Sequence, residues 1–444
     1  MSKIKCLAAV LFAAAVVCCV SAAPEKKVDS GSRVLGKTDK NPIAYKVGEE
    51  IVFTITPIVK NLPEGKYFVN WQLDADYNAA PVQKGKVDAS KGEFVIKTKM
   101  SKPGFVRVVA KMVNEKGKVV KRYKGGKKVD VAFNGGAGVE IEKLQGIKEP
   151  DDFDAYWAAQ KERLAKVPVK ADMKLIKTVK GCNIYAVSVD CAGPRPVTGY
   201  LTIPADAKEK SLVAKVHYQG YGTRIQKAPK AGARNAISFT INAHGYDLEK
   251  DDAYYKEFLK SIRTGGKNYA MNPEENKDRD KTYFNGMVLR VLRSLEFVRT
   301  LPQWNGKDLE VAGGSQGGLQ SFWAAGLDHT VTKASPSIPW CCDLGGRTVG
   351  RIRPSWGVPY FPAMDYYDAA NHAKRVKCPV VIPRGGIGDY TCPPAGVAIA
   401  YNNIKSPKKI NWTQGSTHGY IPDEVKRAPN GTVTGADVFV VESK

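Results

Sequence analysis

The pattern of apolar and polar positions divides the chain into two parts with different periods. Between about residues 27 and 134, runs such as EIVFTITPIV, KYFVNWQLDA and GFVRVVAKMVN alternate apolar with polar residues. A period of two predicts strands that place one face on a core, and the intervening NLPEGK and NEKGK have the composition of turns. Several short strands of this kind predict an antiparallel β-sandwich of immunoglobulin-like type over residues 24–134.

From about residue 148 onwards, strand patterns alternate with helix patterns. PDDFDAYWAAQKERLAKV and FNGMVLRVLRSLEFVRTLPQW carry apolar residues at helical spacing, whereas KDLEVAGG, CPVVIPRGGIGD and KKINWTQGSTHG are apolar runs that end in polar loops. Such alternation predicts a mostly parallel sheet with helices on both faces. We therefore expect an α/β domain over residues 148–444, joined to the sandwich by a linker over residues 135–147 that contains the glycine-rich NGGAGVE.

The first 23 residues have the layout of a secretory signal peptide. The basic MSKIK precedes the apolar CLAAVLFAAAVVCCV, and small residues follow, so cleavage is expected near Ala22 or Ala23. The apolar run is shorter than the roughly 20 residues that a membrane span requires. A lipid anchor on Cys18 or Cys19 is the less favoured alternative. The segment predicts a secreted or periplasmic protein without a membrane span.

Composition and charge limit the kinds of molecule that this chain is expected to bind. The formal net charge is +24, carried mostly by lysines scattered along the chain, and 43% of the residues are hydrophobic. Net charge bears on solubility and non-specific attraction rather than on fold. The chain has no zinc-ligand spacing, RNP-like motif or arginine-rich arm, so a solvated basic surface is expected and a nucleic-acid partner is not.

The cysteines predict neither a metal centre nor a specific disulfide pattern. Export would permit disulfides, and six cysteines follow the signal segment: Cys182, Cys191, Cys341, Cys342, Cys378 and Cys392. Cys182 and Cys191 flank NIYAVSVD, whose extended length holds them too far apart to bond to each other. The other pairings stay open, and all six are equally compatible with buried thiols. No cluster of Cys and His has metal-ligand spacing, so no metal or cofactor is expected.

The most informative motif is VAGGSQGG, where a strand pattern meets a helix pattern. Gly313, Ser315 and Gly317 fit G-x-S-x-G, the nucleophile turn of α/β-hydrolases. Glycines relieve crowding around a strained turn, and the following helix N-terminus favours a developing oxyanion. A phosphate-binding loop of Walker type would need Gly-Lys-Ser/Thr, which is absent here.

A base and an acid follow the serine in the order expected for this turn. Asp389 lies in a loop after one predicted strand and His418 in the loop after the next. The order Ser315, Asp389, His418 is that of the α/β-hydrolases, so we predict these three as the catalytic triad.

The oxyanion hole needs two main-chain donors. The amide of Gln316, the residue after the nucleophile, is expected to supply one of them. The loop VHYQGYG after an early strand is expected to supply the other, with Tyr218 as the candidate. Of the remaining histidines, His217 and His244 are expected to line the site or order its loops, and His329 and His372 to be surface or packing residues.

With these residues in place, the second domain resembles the acetyl xylan esterase/cephalosporin C deacetylase family, carbohydrate esterase family 7. PDDFDAYWAAQKERL is similar to the family's opening helix, and VAGGSQGG, GIGDYTCPP and STHGY resemble its nucleophile, acid and histidine segments. The resemblance implies an α/β-hydrolase that deacetylates sugars, with Tyr218 and Gln316 as oxyanion donors. It also implies a homo-oligomer, because family members form hexamers. The segment INAHGYDLE departs from the family's Asp-x-Arg-Gly-x-Gly pattern at the mouth of the pocket.

The resulting hypothesis is a secreted serine esterase that acts on acetylated sugars, with xylo-oligosaccharides as the preferred substrate. A serine peptidase of prolyl-oligopeptidase type is the first alternative, although residues 24–134 are too short for the propeller found in that group. A carbohydrate-binding protein with an inert hydrolase domain is the second alternative. Trp71, Tyr67 and Tyr77 in the sandwich are candidates for glycan contacts, with a packing role favoured.

Overall fold

The computed structural model describes residues 28–443, so the predicted signal peptide lies outside the described residues. The first domain contains β1 (Arg33–Thr38), β2 (Glu50–Ile58), β3 (Tyr67–Ala75), β4 (Gln83–Asp88), β5 (Phe94–Lys99), β6 (Gly104–Asn114), β7 (Lys121–Lys124), β8 (Lys127–Asp130) and β9 (Ala132–Val139). They form an antiparallel sheet in the order β1-β2-β5, a second in the order β4-β3-β6-β9, and the hairpin β7-β8.

The alternation predicted for the first domain explains how its two sheets pack. Along β2, Ile51, Phe53 and Ile55 are fully buried, whereas the residues between them are half-buried. They share one apolar core with Val69 of β3 and Val108 of β6, from the other sheet. Burying one face of each antiparallel sheet against the other produces a sandwich, so the predicted β-sandwich is confirmed.

The segment predicted as a linker is instead partly a strand. β9 continues to Val139 and pairs with β6 along its whole length. A Cβ at Gly136 would lie 2.1 Å from the Val106 carbonyl oxygen, and one at Gly135 would lie 2.3 Å from Oε1 of Gln414. The glycines in NGGAG therefore permit close packing on both sides of β9. A glycine-rich strand of this kind has the same composition as a flexible linker, so the sequence alone did not distinguish them.

The second domain carries the larger sheet. Its strands are β10 (Ala171–Val179), β11 (Cys182–Val189), β12 (Val197–Pro204), β13 (Leu212–Tyr218), β14 (Ala236–Ile241), β15 (Trp304–Gly314), β16 (Lys333–Ser337), β17 (Val380–Gly386), β18 (Lys408–Thr413), β19 (Lys426–Arg427), β20 (Val433–Thr434) and β21 (Val438–Ser443). Its helices are α1 (Phe153–Ala165), α2 (Asp252–Ser261), α3 (Pro273–Asn276), α4 (Tyr283–Arg299), α5 (Gln316–Leu327), α6 (Ala369–Ala373) and α7 (Pro394–Asn403).

The large sheet runs in the order β10-β11-β12-β14-β13-β15-β16-β17-β18-β21, and β19 pairs with β20 separately. The strands from β14 to β18 are parallel to one another, and antiparallel strands flank them on both sides. This arrangement confirms the α/β-hydrolase fold. Because β13, β15, β17 and β18 are parallel, the loops that follow them emerge at the same edge of the sheet.

The helices cover the sheet unevenly. The helices α4, α5, α6 and α7 contact one another in turn, and α4 and α5 pack on the central strands. On the opposite face of β13, Lys215 and His217 are exposed. The expectation of helices on both faces is therefore wrong at this strand, because alternate positions of β13 are polar and this face meets solvent.

The two domains share an apolar interface. Phe105 of β6 is 1% exposed and lies within the core of the second domain, where its ring centroid is 5.7 Å from that of Trp412 on β18. Ile43 of the first domain joins the same core. Across residues 28–443, no helix has the length and apolar character needed to cross a membrane.

Candidate active site

Ser315 occupies a sharp turn between β15 and α5. Its φ of 58° and ψ of −118° are far from the values that a residue with a side chain prefers. The Ser315 amide donates to the carbonyl oxygen of Ser337 at 3.0 Å, and its own carbonyl oxygen accepts from the Trp340 amide at 3.1 Å. The end of β16 and the segment that follows it therefore hold both main-chain polar groups of the strained residue.

The glycines after the serine allow helix α5 to lie directly against the neighbouring strand. A Cβ at Gly317 would lie 2.2 Å from the carbonyl oxygen of Tyr218, the last residue of β13. A Cβ at Gly314 would meet no atom within 4 Å. A Cβ at Gly313 would lie 2.5 Å from the carbonyl carbon of Gly317, so Gly313 and Gly317 are both required by close backbone contacts, whereas Gly314 is not.

Asp389 and His418, the predicted acid and base, lie in the loops after β17 and β18. His418 Nδ1 lies 2.9 Å from Oδ2 of Asp389. The other carboxylate oxygen, Oδ1, accepts from the amides of Thr391 and Cys392 at 3.0 Å each. The Asp389 side chain is 1% exposed and the His418 side chain 30% exposed. A buried, twice-anchored carboxylate orients the imidazole and leaves Nε2 available for a proton transfer.

Cys392 packs beside this pair. Its Sγ lies 3.7 Å from His418 Nδ1, and the potential ligand atoms of Asp389, Cys392 and His418 lie within 4.8 Å of one another. A metal ion would need the thiolate form of the cysteine. Burial raises the pKa of the Cys392 thiol well above its usual range, and His418 Nδ1 already contacts Asp389. In this arrangement the Asp389 carboxylate and the His418 imidazole bond to each other, and Cys392 packs beside them as a neutral thiol.

The two expected oxyanion residues differ in their positions. Gln316 is the first residue of α5, and its fully buried side chain accepts at Oε1 from the Tyr269 hydroxyl at 3.0 Å. Tyr218 is fully buried and pairs in register with Ile241 on one side and Gly313 on the other. Its backbone thus belongs to the sheet, and the residues of VHYQGYG that project beyond the sheet are those that follow it.

The loop after Tyr218 passes next to the nucleophile turn. A Cβ at Gly220 would lie 3.4 Å from the carbonyl oxygen of Gly314. The Gly222 amide donates to the hydroxyl of Tyr269 at 2.8 Å, and the Tyr221 ring stacks on the Tyr269 ring with centroids 4.4 Å apart. Tyr269 therefore links this loop to Gln316. Tyr269 is not among the residues predicted from the sequence, because only spatial proximity shows this link.

An aromatic wall borders the loop. The Tyr221 ring packs edge-on against Trp356 at 4.6 Å and against Trp340 at 5.4 Å, and the two indoles stack 5.0 Å apart at 11°. Trp356 is 40% exposed. Both tryptophans line a cavity of about 350 Å³ that Thr391 of the acid loop also borders. A sugar ring could stack on such a wall within reach of the triad loops.

The remaining histidines have structural positions. His244 orders the loop, because its Nε2 lies 3.0 Å from the Gly222 carbonyl oxygen and its Nδ1 lies 2.9 Å from the Tyr283 hydroxyl. Burial lowers the pKa of His244 to about 4, so the ring is neutral. His217 is exposed on β13 and His329 is exposed at the surface, whereas His372 is fully buried among aromatic rings.

The cysteines within the described chain are all free thiols. Cys191 is half-buried and the other five are buried. In the β-sandwich, Trp71, Tyr67 and Tyr77 are each half-buried. The Trp71 ring covers Gly85, and the Tyr77 amide donates to the Gly350 carbonyl oxygen of the second domain. Two of these aromatic residues therefore pack within the sandwich or against its neighbour.

Comparisons with known proteins agree on one family. The acetyl xylan esterase (AXE1) family model matches residues 139–349 and 358–429. Acetyl esterase Axe7A of Xylanibacter ruminicola is 30% identical over 401 residues, which span 84% of this chain and 85% of that protein.

Two solved structures share the fold of the second domain. The acetyl xylan esterase from Paenibacillus sp. R4 matches with a TM-score of 0.53 and 22% identity, over 64% of this chain and 94% of that chain. Acetyl xylan esterase 1 from Thermoanaerobacterium sp. JW/SL YS485 matches with a TM-score of 0.52 and 19% identity, over the same shares of the two chains.

Proposed function

Because this chain belongs to the acetyl xylan esterase family, we propose that it is an exported serine esterase that removes acetyl groups from xylo-oligosaccharides. The chain is a carboxylic ester hydrolase by its family. The observation that supports a triad mechanism is the bond between His418 Nδ1 and Asp389 Oδ2, at the sheet edge where Ser315 occupies its strained turn.

The proposed reaction proceeds through an acetyl-enzyme. Ser315 Oγ attacks the acetyl carbonyl carbon while His418 Nε2 takes the hydroxyl proton, and Asp389 stabilises the imidazolium. When the tetrahedral intermediate collapses, His418 returns the proton to the departing sugar oxygen. Water then attacks the acetyl carbonyl carbon while His418 takes its proton. As the bond to Ser315 Oγ breaks and acetate leaves, His418 returns that proton to Oγ.

Two main-chain amides would stabilise the oxyanion. One is that of Gln316, at the positive end of α5. For the other, Tyr218 was the residue expected from the sequence. Its position inside the sheet favours instead the amide of Tyr221, in the loop that approaches Gly314. Removing one such donor typically costs about 10²–10³ in kcat.

The substrate proposal is tested by acetate release from a panel of acetylated xylo-oligosaccharides, intact acetylated xylan, acetylated chitin fragments and cephalosporin C. We expect the highest kcat/KM on the short xylo-oligosaccharides. A preference for chitin fragments, or release from none of the sugars, would contradict it. An aminoacyl-proline anilide should not be cleaved, because the family is one of esterases and not of peptidases.

Export and assembly complete the proposal. The signal segment 1–23 would be removed on secretion, and N-terminal sequencing of the mature protein checks the cleavage site. The proposed homo-oligomer is checked by light scattering on the purified chain. A monomer would show that the β-sandwich alters the assembly typical of the family.

A further inference from the structure

The cavity beside the triad carries an unusual concentration of arginine. Arg347, Arg351 and Arg353 all line it, together with Trp340 and Trp356. Arg347 and Arg353 are exposed. Arg351 is buried and pairs through Nε with the Asp343 carboxylate, yet its Nη1 is buried without a hydrogen-bond partner among the described residues. Arg351 therefore supports the cavity wall, and the exposed guanidinium groups of Arg347 and Arg353 are the ones that a ligand can reach.

The walls of this cavity belong to the catalytic loops. Trp340 donates its amide to the carbonyl oxygen of Ser315, and Thr391 donates its amide to Asp389. The Ser355 amide donates to the Tyr390 carbonyl oxygen, which ties the arginine-bearing segment to the acid loop. A substrate group in the cavity would therefore lie next to the sugar whose ester is cleaved.

Part of the arginine-bearing segment lies between the two stretches that match the family model. The family match is interrupted between residues 349 and 358, and this interval contains Arg351, Arg353 and Trp356. Arg347 lies within the first matched stretch. Arginine forks bind carboxylates with two parallel hydrogen bonds, and an indole face supports a sugar ring.

On the basis of the proposed function, we infer that this cavity is a subsite for a sugar that bears a carboxylate, a hexuronic acid joined to the acetylated chain. Arg347 and Arg353 bind the carboxylate, and Trp356 packs on the ring. The substrate class is then acetylated oligosaccharides with uronic acid substituents rather than neutral chains.

The test compares acetate release from acetylated xylotetraose with and without a glucuronic acid branch, in the full-length protein. We expect the wild type to prefer the acidic substrate about tenfold in kcat/KM, and Arg347→Gln/Arg353→Gln to lose that preference at unchanged turnover of p-nitrophenyl acetate. Lys426→Gln/Arg427→Gln is the matched control, because it removes the same charge from exposed residues that do not line the cavity.

Equal rates on the two substrates, or an equal loss on both in the double variant, would overturn the subsite. Acetate release from neither substrate would refute the proposed function instead. The subsite is then tested separately by calorimetric titration of Ser315→Ala with the deacetylated acidic tetraose. Binding that is weakened at least tenfold by the arginine substitutions supports the subsite, and the absence of binding overturns it.

A second, independent observation concerns the β-sandwich, which lies almost wholly outside the family match. Arg122 of β7 has a side chain only 2% exposed and reaches across the domain boundary. It donates to the Tyr420 hydroxyl at 3.1 Å and to Asp423 Oδ2 at 2.8 Å, and also pairs with Asp29 at 2.9 Å. Arg33 and Lys124 contact Asp423 as well, at 2.8 and 2.5 Å.

The residues that Arg122 contacts close the loop that carries the base. The Tyr420 carbonyl oxygen accepts from the Thr417 amide at 3.0 Å and from the Ser416 hydroxyl at 3.1 Å, so these bonds enclose His418. At the start of the same loop, Gln414 exchanges two hydrogen bonds with the backbone of Gly136 on β9, at 2.8 and 3.1 Å. The sandwich thus holds both ends of the histidine loop.

From these contacts we propose that the β-sandwich positions the catalytic base, with Arg122 as its positioning residue. Misplacement of a catalytic group by about 1 Å can cost about 10²-fold in rate. A loosened loop therefore lowers kcat, whereas substrate binding on the aromatic wall is retained.

The test is Arg122→Gln, assayed with p-nitrophenyl acetate well below its unfolding temperature. We expect kcat to fall at least tenfold at unchanged KM, Arg122→Lys to recover part of it, and Tyr420→Phe, which removes one hydroxyl, to lower kcat severalfold. Lys121→Gln, on the same strand in an exposed ion pair, is the control without effect. An unchanged kcat in Arg122→Gln, or in Tyr420→Phe if the first variant fails to fold, would overturn the proposal.

Discussion

At the scale of single residues, Ser315 combines its chemistry with a backbone conformation that disfavours any side chain. A left-handed φ at a non-glycine residue costs on the order of 1–3 kcal/mol and persists only when its surroundings impose it. Here the imposing contacts are the two main-chain hydrogen bonds to Ser337 and Trp340. The strained turn that carries the serine hydroxyl therefore also lowers the free energy of unfolding.

This strain gives the first prediction. Ser315→Gly should abolish turnover of p-nitrophenyl acetate and raise the free energy of unfolding by about 1 kcal/mol, because glycine reaches this φ without strain. Ser315→Ala should be equally inactive but no more stable, since it keeps the Cβ. Chemical denaturation of both variants measures the difference, and equal stabilities would show that the turn is not strained.

The orientation of the imidazole gives the second prediction. Asp389→Asn should lower kcat by about 10⁴ with an intact fold, because an amide at this position favours the wrong imidazole tautomer. Steady-state kinetics with p-nitrophenyl acetate, together with near-ultraviolet circular dichroism, provide the measurement. A loss below tenfold would remove Asp389 from the proposed triad.

A buried carboxyl gives the third prediction, on pH. Burial raises the pKa of Asp365 to about 6, above its value in the unfolded chain. The neutral carboxyl therefore stabilises the fold below about pH 4, and this contribution is lost as the pH rises through about 6. Relative to Asp365→Asn, the wild type should lose about 2 kcal/mol of unfolding free energy between about pH 4 and 7.5. Parallel pH profiles of the two proteins would contradict this.

At the scale of elements, the site depends on how closely α5 and the triad loops approach their neighbours. Gly317 lets the first turn of α5 lie on the end of β13, and Gly388 of the acid loop lies against Asn134, where a Cβ would be 1.8 Å from the Asn134 carbonyl oxygen. The strands and most helix positions were predictable from their periods, as for β6 and α4. The close contacts at Gly317 and Gly388 could not be predicted. A glycine that is required by a close neighbour and a glycine in an unhindered turn look the same in a sequence.

The fourth prediction compares two glycines of the nucleophile motif. Gly317→Ala should lower the melting temperature by several degrees, because its Cβ would meet the Tyr218 carbonyl oxygen at 2.2 Å and force α5 away from β13. Gly314→Ala should leave the melting temperature close to that of the wild type, since the space around it is open. Calorimetry decides between them, and equal shifts would contradict the packing argument.

At the scale of the whole molecule, the two domains form a continuous packed unit. Phe105 extends the sandwich into the core of the hydrolase domain beside Trp412. The glycine run belongs to β9, which pairs with β6 of the sandwich. The ion pair of Arg122 with Asp423 and the amide pair of Gln414 with Gly136 add directional contacts across the same interface.

This packing gives the fifth prediction. The protein should unfold in a single transition, and Phe105→Ala should lower the free energy of unfolding by about 3–5 kcal/mol, because it leaves a cavity between the domains. Val95→Ala, at a residue 51% exposed on β5, should change it by less than about 0.5 kcal/mol. Two separate transitions in the wild type would show that the domains unfold independently.

The sequence alone predicted a β-sandwich followed by an α/β domain, because hydrophobic periodicity is a local property of the chain. It also predicted the family and the order Ser315, Asp389, His418, because the glycines of a strained turn are a local requirement. Tertiary structure alone decided that Tyr269 links the oxyanion loop to Gln316, that β9 is a strand, and that Arg122 reaches the histidine loop. These features depend on contacts between residues far apart in the chain. No local preference encodes them, so they exist only once the sheet and the sandwich have packed together.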